Sequence, residues 1–193
     1  AKIAMQLGNE RYYRYVRGFG FGVRTGISLP GEVRGLVRSG KKWRPIELAT
    51  TGFGQGIGVT PLQLTTGIAC LANGGEIGQP TIVKEMVDGQ GERYEPLRTR
   101  PFRRVVSKKT AQQICAMMVG VTLEGGTGTK AAPEGYTAAG KTGTAQVLDP
   151  QTKRYASNKY TSVFTGFIPA DRPRLAISVV IHEPQGASYG GVV

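Results

Sequence analysis

Apolar side chains recur at every third or fourth position in two separate segments of the chain, which is the spacing of one face of an α-helix. In the first segment the stripe consists of Leu64, Ile68 and Leu71. In the second it consists of Ala111, Ile114, Met118 and Val121. Both stripes are interpreted as helix faces that pack into a hydrophobic core.

The residues around the first stripe predict where its helix begins and ends. Thr60 is a suitable N-cap, Pro61 fits the first helical position, and Gln63 completes a capping box. The sequence Asn-Gly-Gly at 73–75 cannot easily continue a helix. We therefore predict a helix from Pro61 to about residue 72.

Similar signals bound the other predicted helices. Ser107 caps the helix of the second stripe, which is expected to end at the Gly pair 125–126. Residues 1–17 are predicted to form two short helices, separated at 8–9 (Gly-Asn) and ended by Gly18.

Segments rich in β-branched and aromatic residues, bounded by Gly, Pro and Asp, are predicted as strands. The early ones are 81–87 and 92–97, joined by a turn at 88–91, and 102–106. The late ones are 136–147, 160–168 and 174–182, which are expected to form an antiparallel meander with a polar loop at 148–159. Helices followed by consecutive strands indicate an α+β fold, in a single domain over residues 1–193.

The chain is strongly basic, with 25 Lys and Arg against 13 Asp and Glu and a net charge of +12. Such a charge suits either nucleic acid or an anionic membrane surface. The basic residues are scattered, and they accompany no recognition helix, zinc spacing or aromatic RNA-binding motif. We therefore expect no nucleic-acid partner, and interpret the charge as a solvated basic surface or one attracted to anionic lipid or a diphosphate-linked precursor.

The few metal-binding and nucleophilic side chains argue against metal or cofactor chemistry. Cys70 and Cys115 lie in apolar helical patterns and are predicted to be buried free thiols. His182 is the only histidine, so His clusters cannot form a metal site. It follows an apolar strand and is interpreted as an ordinary strand-end residue. We expect neither a metal nor a cofactor.

The segment 135–146 matches two mechanistic motifs at once. Gly135-x-x-x-x-Gly140-Lys141-Thr142 satisfies the phosphate-binding P-loop pattern. Lys141-Thr142-Gly143 satisfies the K-T-G element of serine penicillin-recognising enzymes.

The flanks of this segment separate the two interpretations. A P-loop needs an apolar strand before it and a helix that begins at the Lys-Thr pair. Here the preceding residues 125–133 form a Gly-rich loop, and Gly143 and Pro150 disfavour a helix afterwards. The small and β-branched residues of 136–147 are typical of a strand that a ligand or another backbone approaches closely. A P-loop NTPase is therefore kept only as a remote alternative.

Three segments carry a resemblance to a known family. Ala-Gly-Lys-Thr-Gly-Thr-Ala-Gln at 139–146 resembles the third-strand motif of class B penicillin-binding proteins. Residues 51–64 followed by 72–75 resemble the helix-opening segment of the same transpeptidase domain. Leu-Pro-Gly-Glu at 29–32 resembles the cell-division branch more than the elongation branch. The resemblance covers nearly the whole chain and implies a penicillin-binding, serine β-lactamase-like transpeptidase fold, with an antiparallel sheet packed against helices.

The resemblance also implies roles for four residues in acyl transfer. Lys141 would lie over the site and supply positive potential. The hydroxyls of Thr142 and Thr144 would hold the substrate carboxylate, and the Thr144 backbone N–H would be one of two oxyanion donors. Gly143 would leave room for the acyl group along the edge of the strand.

The nucleophile of such an enzyme is not recognisable in these 193 residues. No S-x-N sequence occurs, and the only S-x-x-K sequence is at Ser39 to Lys42. It is rejected because 28–44 is predicted to be extended and irregular, with Gly40 inside the motif and Pro45 soon after it. The resemblance therefore implies the C-terminal part of a transpeptidase domain, incomplete at both ends, with the nucleophile and the last helix outside this chain.

For the full-length protein, the resemblance implies peptidoglycan cross-linking by acyl transfer from D-Ala-D-Ala stem peptides. The expected partners are the stem peptide or lipid-linked precursor, β-lactams and cell-division membrane proteins. The expected location is the outer face of the cytoplasmic membrane, with the anchor outside this chain. The alternative is a catalytically incomplete module that binds cell-wall polymer or division partners.

Overall fold

The computed structural model describes residues 1–95, 102–149, 151–152 and 154–192. The helices are α1 (Lys2–Gly18), α2 (Pro45–Thr51), α3 (Pro61–Ala72) and α4 (Lys108–Val119), with short 3₁₀ turns at Gly40–Lys42 and Thr129–Ala131. The strands are β1 (Glu76–Ile77), β2 (Met86–Val87), β3 (Arg93–Tyr94), β4 (Arg103–Arg104), β5 (Ala139–Leu148), β6 (Tyr155–Ile168) and β7 (Leu175–His182).

The main sheet has the order β5-β6-β7 and is antiparallel throughout. Lys141 lies opposite Thr165, and Thr161 lies opposite His182. Because side chains alternate along a strand, Lys141 and Gly143 share one face of β5, while Thr142 and Thr144 share the other. Among the described strands, β5 is an edge of this sheet.

The central core lies between this sheet and the helices α3 and α4. Ile68 of α3 and Met118 of α4 pack against Ala139 and Phe167 of the sheet, and all four are buried. Phe167 lies opposite Ala176 of β7, which adds to the same cluster. The two apolar stripes of the sequence therefore fix the position of the strand that begins at Ala139.

A second core joins α1 to α2. Trp43 is buried with Leu48 of α2 and Val16 of α1, and its ring meets the Tyr13 ring edge-on at 5.7 Å. Asn9 Nδ2 donates to the Trp43 carbonyl at 2.7 Å. These contacts hold the C-terminal half of α1 against α2.

Gln63 connects α3 to the irregular segment before α2. Its amide nitrogen donates to the carbonyls of Val23 (2.7 Å) and Arg34 (3.1 Å), while Thr60 and Gln63 form the reciprocal capping box. Gln63 is only 1% exposed, so its polar groups are satisfied entirely within the protein. The beginning of α3 is thereby tied to the loop 23–34.

The structure confirms the helix at 61–72, the break in the N-terminal helix and the antiparallel meander. Gly8 has non-helical backbone angles within α1. Cys70 and Cys115 are free thiols, and burial raises the pKa of the Cys70 thiol to about 11; Cys115 is only half-buried. His182 ends β7, as predicted.

One helix boundary and two helical elements differ from the predictions. The helix of the second stripe begins after Ser107 as predicted but ends at Val119, before 125–126. The Thr122 hydroxyl donates to the Ala138 carbonyl at 2.8 Å and so attaches the chain to the start of β5. The helix α2 was not predicted, and the segment 28–44 contains a 3₁₀ turn.

Several strands also differ in extent. Within 81–87 only Met86–Val87 is a strand, because Thr81 forms side-chain hydrogen bonds with the Val83 backbone. This strand, β2, pairs with β3, which is the part of the predicted strand 92–97 that is present. Residues 96–97 lie outside the described residues. The predicted turn at 88–91 is present. Within 102–106 only β4 is a strand, paired with the unpredicted β1. The loop 148–159 is shorter than predicted because Leu148 still pairs with Tyr155 across a register shift.

Candidate active site

A cavity of about 750 Å³ lies between one face of the β5-β6-β7 sheet and the helices α1 and α3. Its sheet wall includes residues 141–145 of β5, Val163 and Thr165 of β6, and Val180 and His182 of β7. The opposite wall, formed by the helices and the turns that follow α1 and α2, is largely apolar and aromatic, with Tyr12, Tyr15, Phe19, Phe53 and Leu64. The cavity has the size and the apolar character of a small-molecule or peptide site.

Lys141 supplies the charge of this cavity. Among the described residues that line it, Lys141 is the only Lys, Arg, Asp or Glu. Its Nζ donates to the Thr142 carbonyl at 2.7 Å, and the side chain is exposed to solvent. A single cation above an apolar wall attracts a carboxylate and favours the deprotonated form of a nearby base.

The hydroxyls of Thr142 and Thr144 lie at the edge of β5, on the face opposite Lys141. Thr142 Oγ1 is 2.9 Å from Thr127 Oγ1. Thr144 Oγ1 accepts a hydrogen bond from the Gly190 N–H at 3.0 Å. Both residues border the cavity, although their side chains leave β5 on the face opposite Lys141.

The two glycines of β5 have different reasons to lack a side chain. A Cβ at Gly140 would collide with the Phe164 ring, so packing within the protein requires glycine there. A Cβ at Gly143 would meet only Val163 Cβ, at an ordinary 3.7 Å, and Gly143 has no left-handed backbone angle. The fold therefore leaves free the space above Gly143, which faces the cavity.

The edge position of β5 leaves backbone groups available to a ligand. In an antiparallel edge strand, every second residue directs its N–H and C=O away from the neighbouring strand. The Thr142 carbonyl accepts a hydrogen bond from Lys141 Nζ, which is not one of the bonds between strands. Thr144 is two residues further along and has the same orientation by the period of the strand.

Tyr12 and His182 are titratable groups of the cavity wall. The Tyr12 hydroxyl donates to the Thr51 carbonyl at 3.0 Å, and burial raises the pKa of Tyr12 above its ordinary value of 10.0. The Tyr12 hydroxyl is therefore held as a donor to the Thr51 carbonyl in this wall. His182 Nδ1 lies 3.0 Å from Thr161 Oγ1, across the sheet from the neighbouring strand.

The rejected S-x-x-K sequence is remote from this arrangement. Ser39 immediately precedes the 3₁₀ turn Gly40–Lys42, is exposed to solvent, and is not among the residues that line the cavity. Within the described part of the chain, no cluster of His, Cys, Asp and Glu side chains could hold a metal ion. No helix of those same residues is long and apolar enough to cross a membrane.

Sequence reasoning missed several residues of the site. Thr127 and Gly190 meet the threonines of β5 from loops distant in sequence, and Tyr12, Tyr15 and Phe53 form the aromatic wall. Their residue types alone carry no signal for this role. Only the threonine-rich loop at 127–129 could have drawn attention, since hydroxyls recur there.

Comparison with known proteins identifies the family of this chain. Residues 1–193 match the family described as the penicillin binding protein transpeptidase domain. Stage V sporulation protein D of Bacillus subtilis is 38% identical over 100% of this chain and 30% of its own length. Peptidoglycan D,D-transpeptidase FtsI of Escherichia coli is 38% identical over 100% of this chain and 31% of its own length. The chain thus spans about a third of these relatives.

A solved structure gives the same result for the fold. Penicillin binding protein 3 of Mycobacterium tuberculosis, complexed with aztreonam, superposes with a TM-score of 0.91 and 38% sequence identity. The superposition covers 98% of this chain and 43% of that chain. The α+β architecture is that of the penicillin-binding transpeptidases. The chain belongs to the penicillin-binding protein transpeptidase domain family.

Proposed function

We propose that this chain forms the carboxylate-binding half of the active site of a serine-type D,D-transpeptidase that cross-links peptidoglycan. One observation carries the proposal: among the described lining residues, Lys141 is the sole Lys, Arg, Asp or Glu of a largely apolar cavity, which Thr142 and Thr144 of the same edge strand also border. An extended peptide with a terminal carboxylate can lie along such an edge. The family relationship supports the same chemistry.

The proposed reaction is acyl transfer from a stem peptide that ends in D-Ala-D-Ala. A serine Oγ forms an ester with the carbonyl carbon of the penultimate residue, and the terminal D-alanine leaves with the proton that the serine lost. An amine of a second stem peptide then attacks the ester carbon; the bond to the serine Oγ breaks, the Oγ takes a proton from the amine, and the new amide bond is the cross-link. A β-lactam acylates the same serine through its strained amide. The serine is proposed to lie in a part of the full-length protein outside these residues, as the sequence implied.

Each site residue has a role in this scheme. Lys141 supplies positive potential for the carboxylate and for a deprotonated base. The hydroxyls of Thr142 and Thr144 donate to the carboxylate, and the Thr144 N–H stabilises the oxyanion. Gly143 leaves space for the acyl group, which agrees with the open position above its Cα.

The biological setting is proposed from the 29–32 segment and the surface charge. Leu-Pro-Gly-Glu at 29–32 favours the cell-division branch, with membrane proteins of division as partners. Glu32 accepts hydrogen bonds from Thr25 and Gly26, so within this chain it anchors a loop. The net charge of +12 suits work beside an anionic membrane and a diphosphate-linked precursor, on the outer face of the cytoplasmic membrane.

Penicillin labelling of the full-length protein tests this function. We expect a stoichiometric covalent adduct with benzylpenicillin, measured by intact mass, on a serine outside residues 1–193. A folded full-length protein without an adduct would favour a catalytically incomplete binding module. Lys141 and Thr142 lie within a strand and not at a helix N-terminus, so we expect no Mg²⁺-dependent binding of ATP. Micromolar ATP affinity would contradict the proposal.

A further inference from the structure

We propose that Thr127 is a positioning residue whose hydroxyl donates to Thr142 and leaves the Thr142 proton free for the substrate carboxylate. This inference rests on the proposed function, since it assigns a second hydroxyl to the same carboxylate site. Thr127 Oγ1 and Thr142 Oγ1 are 2.9 Å apart and belong to residues 15 positions apart in sequence. Thr127 itself does not line the cavity, so it acts through Thr142.

The loop that carries Thr127 is held firmly against the sheet. The Gly128 N–H donates to the Val121 carbonyl at 2.8 Å, and Gly128 is buried. A Cβ at Gly128 would lie 3.2 Å from Phe164, Thr142 and Val121, so the backbone is packed directly on these residues. The position of the Thr127 hydroxyl is therefore set by a packed backbone rather than by a free loop.

The Thr127 hydroxyl is not required for the stability of the fold. Thr127 is exposed, so water can replace any hydrogen bond that its hydroxyl loses. A buried polar group left unpaired is costly, but an exposed one is not. Because the Thr127 hydroxyl contributes little to stability but contacts Thr142, its effect on Thr142 explains its position better than a structural role does.

The direction of the hydrogen bond follows from the number of protons. A threonine hydroxyl has one proton and two acceptor lone pairs, whereas an ionised carboxylate only accepts. If Thr142 gives its proton to the carboxylate, the bond between the two hydroxyls requires the proton of Thr127. Thr127 is then the donor, and the pair forms a chain from Thr127 through Thr142 to the substrate.

Thr144 has the same arrangement with a different donor. Its Oγ1 accepts from the Gly190 N–H, which can only donate, so the Thr144 proton is also left free. Both hydroxyls of the strand are thus engaged as acceptors by protein donors. Hydrogen bonds to a charged group are about twice as strong as neutral ones, so the two oriented protons favour an anion over a neutral group.

Acylation of the full-length protein by benzylpenicillin and by its methyl ester tests this proposal. The two compounds carry the same reactive ring, but only the acid presents a carboxylate. Thr127→Val keeps the shape of the side chain and removes the hydroxyl, while Thr127→Ser keeps the hydroxyl. Thr129→Val is the matched control, because Thr129 is an exposed threonine two residues further along the chain, in the 3₁₀ turn Thr129–Ala131.

We expect Thr127→Val to lower the second-order acylation rate constant for the acid by about 3- to 10-fold, which corresponds to one ordinary hydrogen bond. The loss should reside in the binding constant, with the limiting acylation rate little changed. The rate constant for the ester should be unchanged, so the preference for acid over ester falls by the same factor. Thr127→Ser should restore the preference, and Thr129→Val should match the wild type.

Equal losses for acid and ester in Thr127→Val would show a structural role and overturn the proposal, as would an unchanged preference. A wild-type protein that benzylpenicillin does not acylate would overturn the proposed function and this inference together. A wild-type protein that prefers the acid, beside a Thr127→Val variant that prefers it equally, would overturn this inference alone.

Discussion

The ring of Phe164 occupies the space into which a side chain at Gly140 would extend. Gly140 lies opposite Gly166, and the Phe164 ring covers this glycine pair. Three residues further along the same strand, Gly143 has only Val163 near its missing Cβ, at 3.7 Å. The first glycine is therefore explained by the fold, and the second by the space it leaves above the cavity.

Alanine at these two positions should separate stability from activity. Gly140→Ala should lower the free energy of unfolding by about 1–3 kcal/mol through overpacking. Gly143→Ala should leave the melting temperature nearly unchanged but lower penicillin acylation of the full-length protein by about 10- to 100-fold, because its methyl group displaces the acyl chain. Thermal unfolding and acylation kinetics measure the two effects. A Gly143→Ala variant as active as wild type would show that the acyl group does not lie along this part of the strand.

The Thr144 backbone can be tested without changing its side chain. Replacing its amide with an ester in a semisynthetic full-length protein removes one oxyanion donor, and such a loss costs roughly 2.7–4 kcal/mol, or about 10²–10³ in rate. Thr144→Val removes only the hydroxyl and should mainly weaken carboxylate recognition, and Thr144→Ser should be nearest to wild type. The limiting acylation rate should therefore be lowest for the ester variant, intermediate for Thr144→Val and nearest to wild type for Thr144→Ser. An ester variant as fast as wild type would mean that the amide does not face the oxyanion.

Glu47 should make stability depend on acid pH. The backbone N–H of Arg44 and the Arg38 guanidinium donate to its carboxylate and lower the pKa of Glu47 from 4.5 to about 2. A lowered pKa in the folded state stabilises the protein above pH 4.5, and this contribution is lost as the pH falls toward 2. Glu47→Gln should flatten the loss of melting temperature across this window, since Gln still caps the start of α2.

Glu124→Gln provides the control for the Glu47 experiment. Glu124 is exposed in the loop after α4 and has no hydrogen-bond partner among the described residues. Its substitution should leave the pH profile of the melting temperature unchanged. Equal flattening in both variants would show that general surface charge, and not the bonds to Arg44 and Arg38, causes the acid sensitivity.

Local signals explain which elements could be predicted from the sequence. The start of α3 is encoded within four residues by Thr60, Pro61 and Gln63, so no tertiary contact is needed to predict it. The start of α2 has a weaker signal: Pro45 and Glu47 occupy favourable positions, but the N-cap is Arg44 rather than Ser, Thr, Asp or Asn, and the helix has only seven residues. The N-terminal end of β6 was missed because residues 155–159 are mostly polar, and the strand is extended there by the pairing of Tyr155 with Leu148 of β5.

The residues of the site also divide into those that a local motif predicts and those that depend on tertiary structure. Lys141 to Thr144 could be identified because their spacing is a compact motif that resembles a family. The bond between Thr142 and Thr127 depends on how a Gly-rich loop folds back on β5, and the bond between Thr144 and Gly190 joins residues 46 positions apart. The cavity itself requires α1, α3 and the sheet to meet, which no local pattern specifies.

Release of D-alanine from a stem pentapeptide by the full-length protein tests the central claim most directly. We expect release that benzylpenicillin abolishes, together with a loss of at least about 10²-fold in Lys141→Ala, because the positive charge that Lys141 supplies to the cavity has been removed. The melting temperature of Lys141→Ala should be nearly unchanged, since this side chain is exposed. A folded wild-type protein that releases no D-alanine, or a Lys141→Ala variant that releases it at the wild-type rate, would contradict the account.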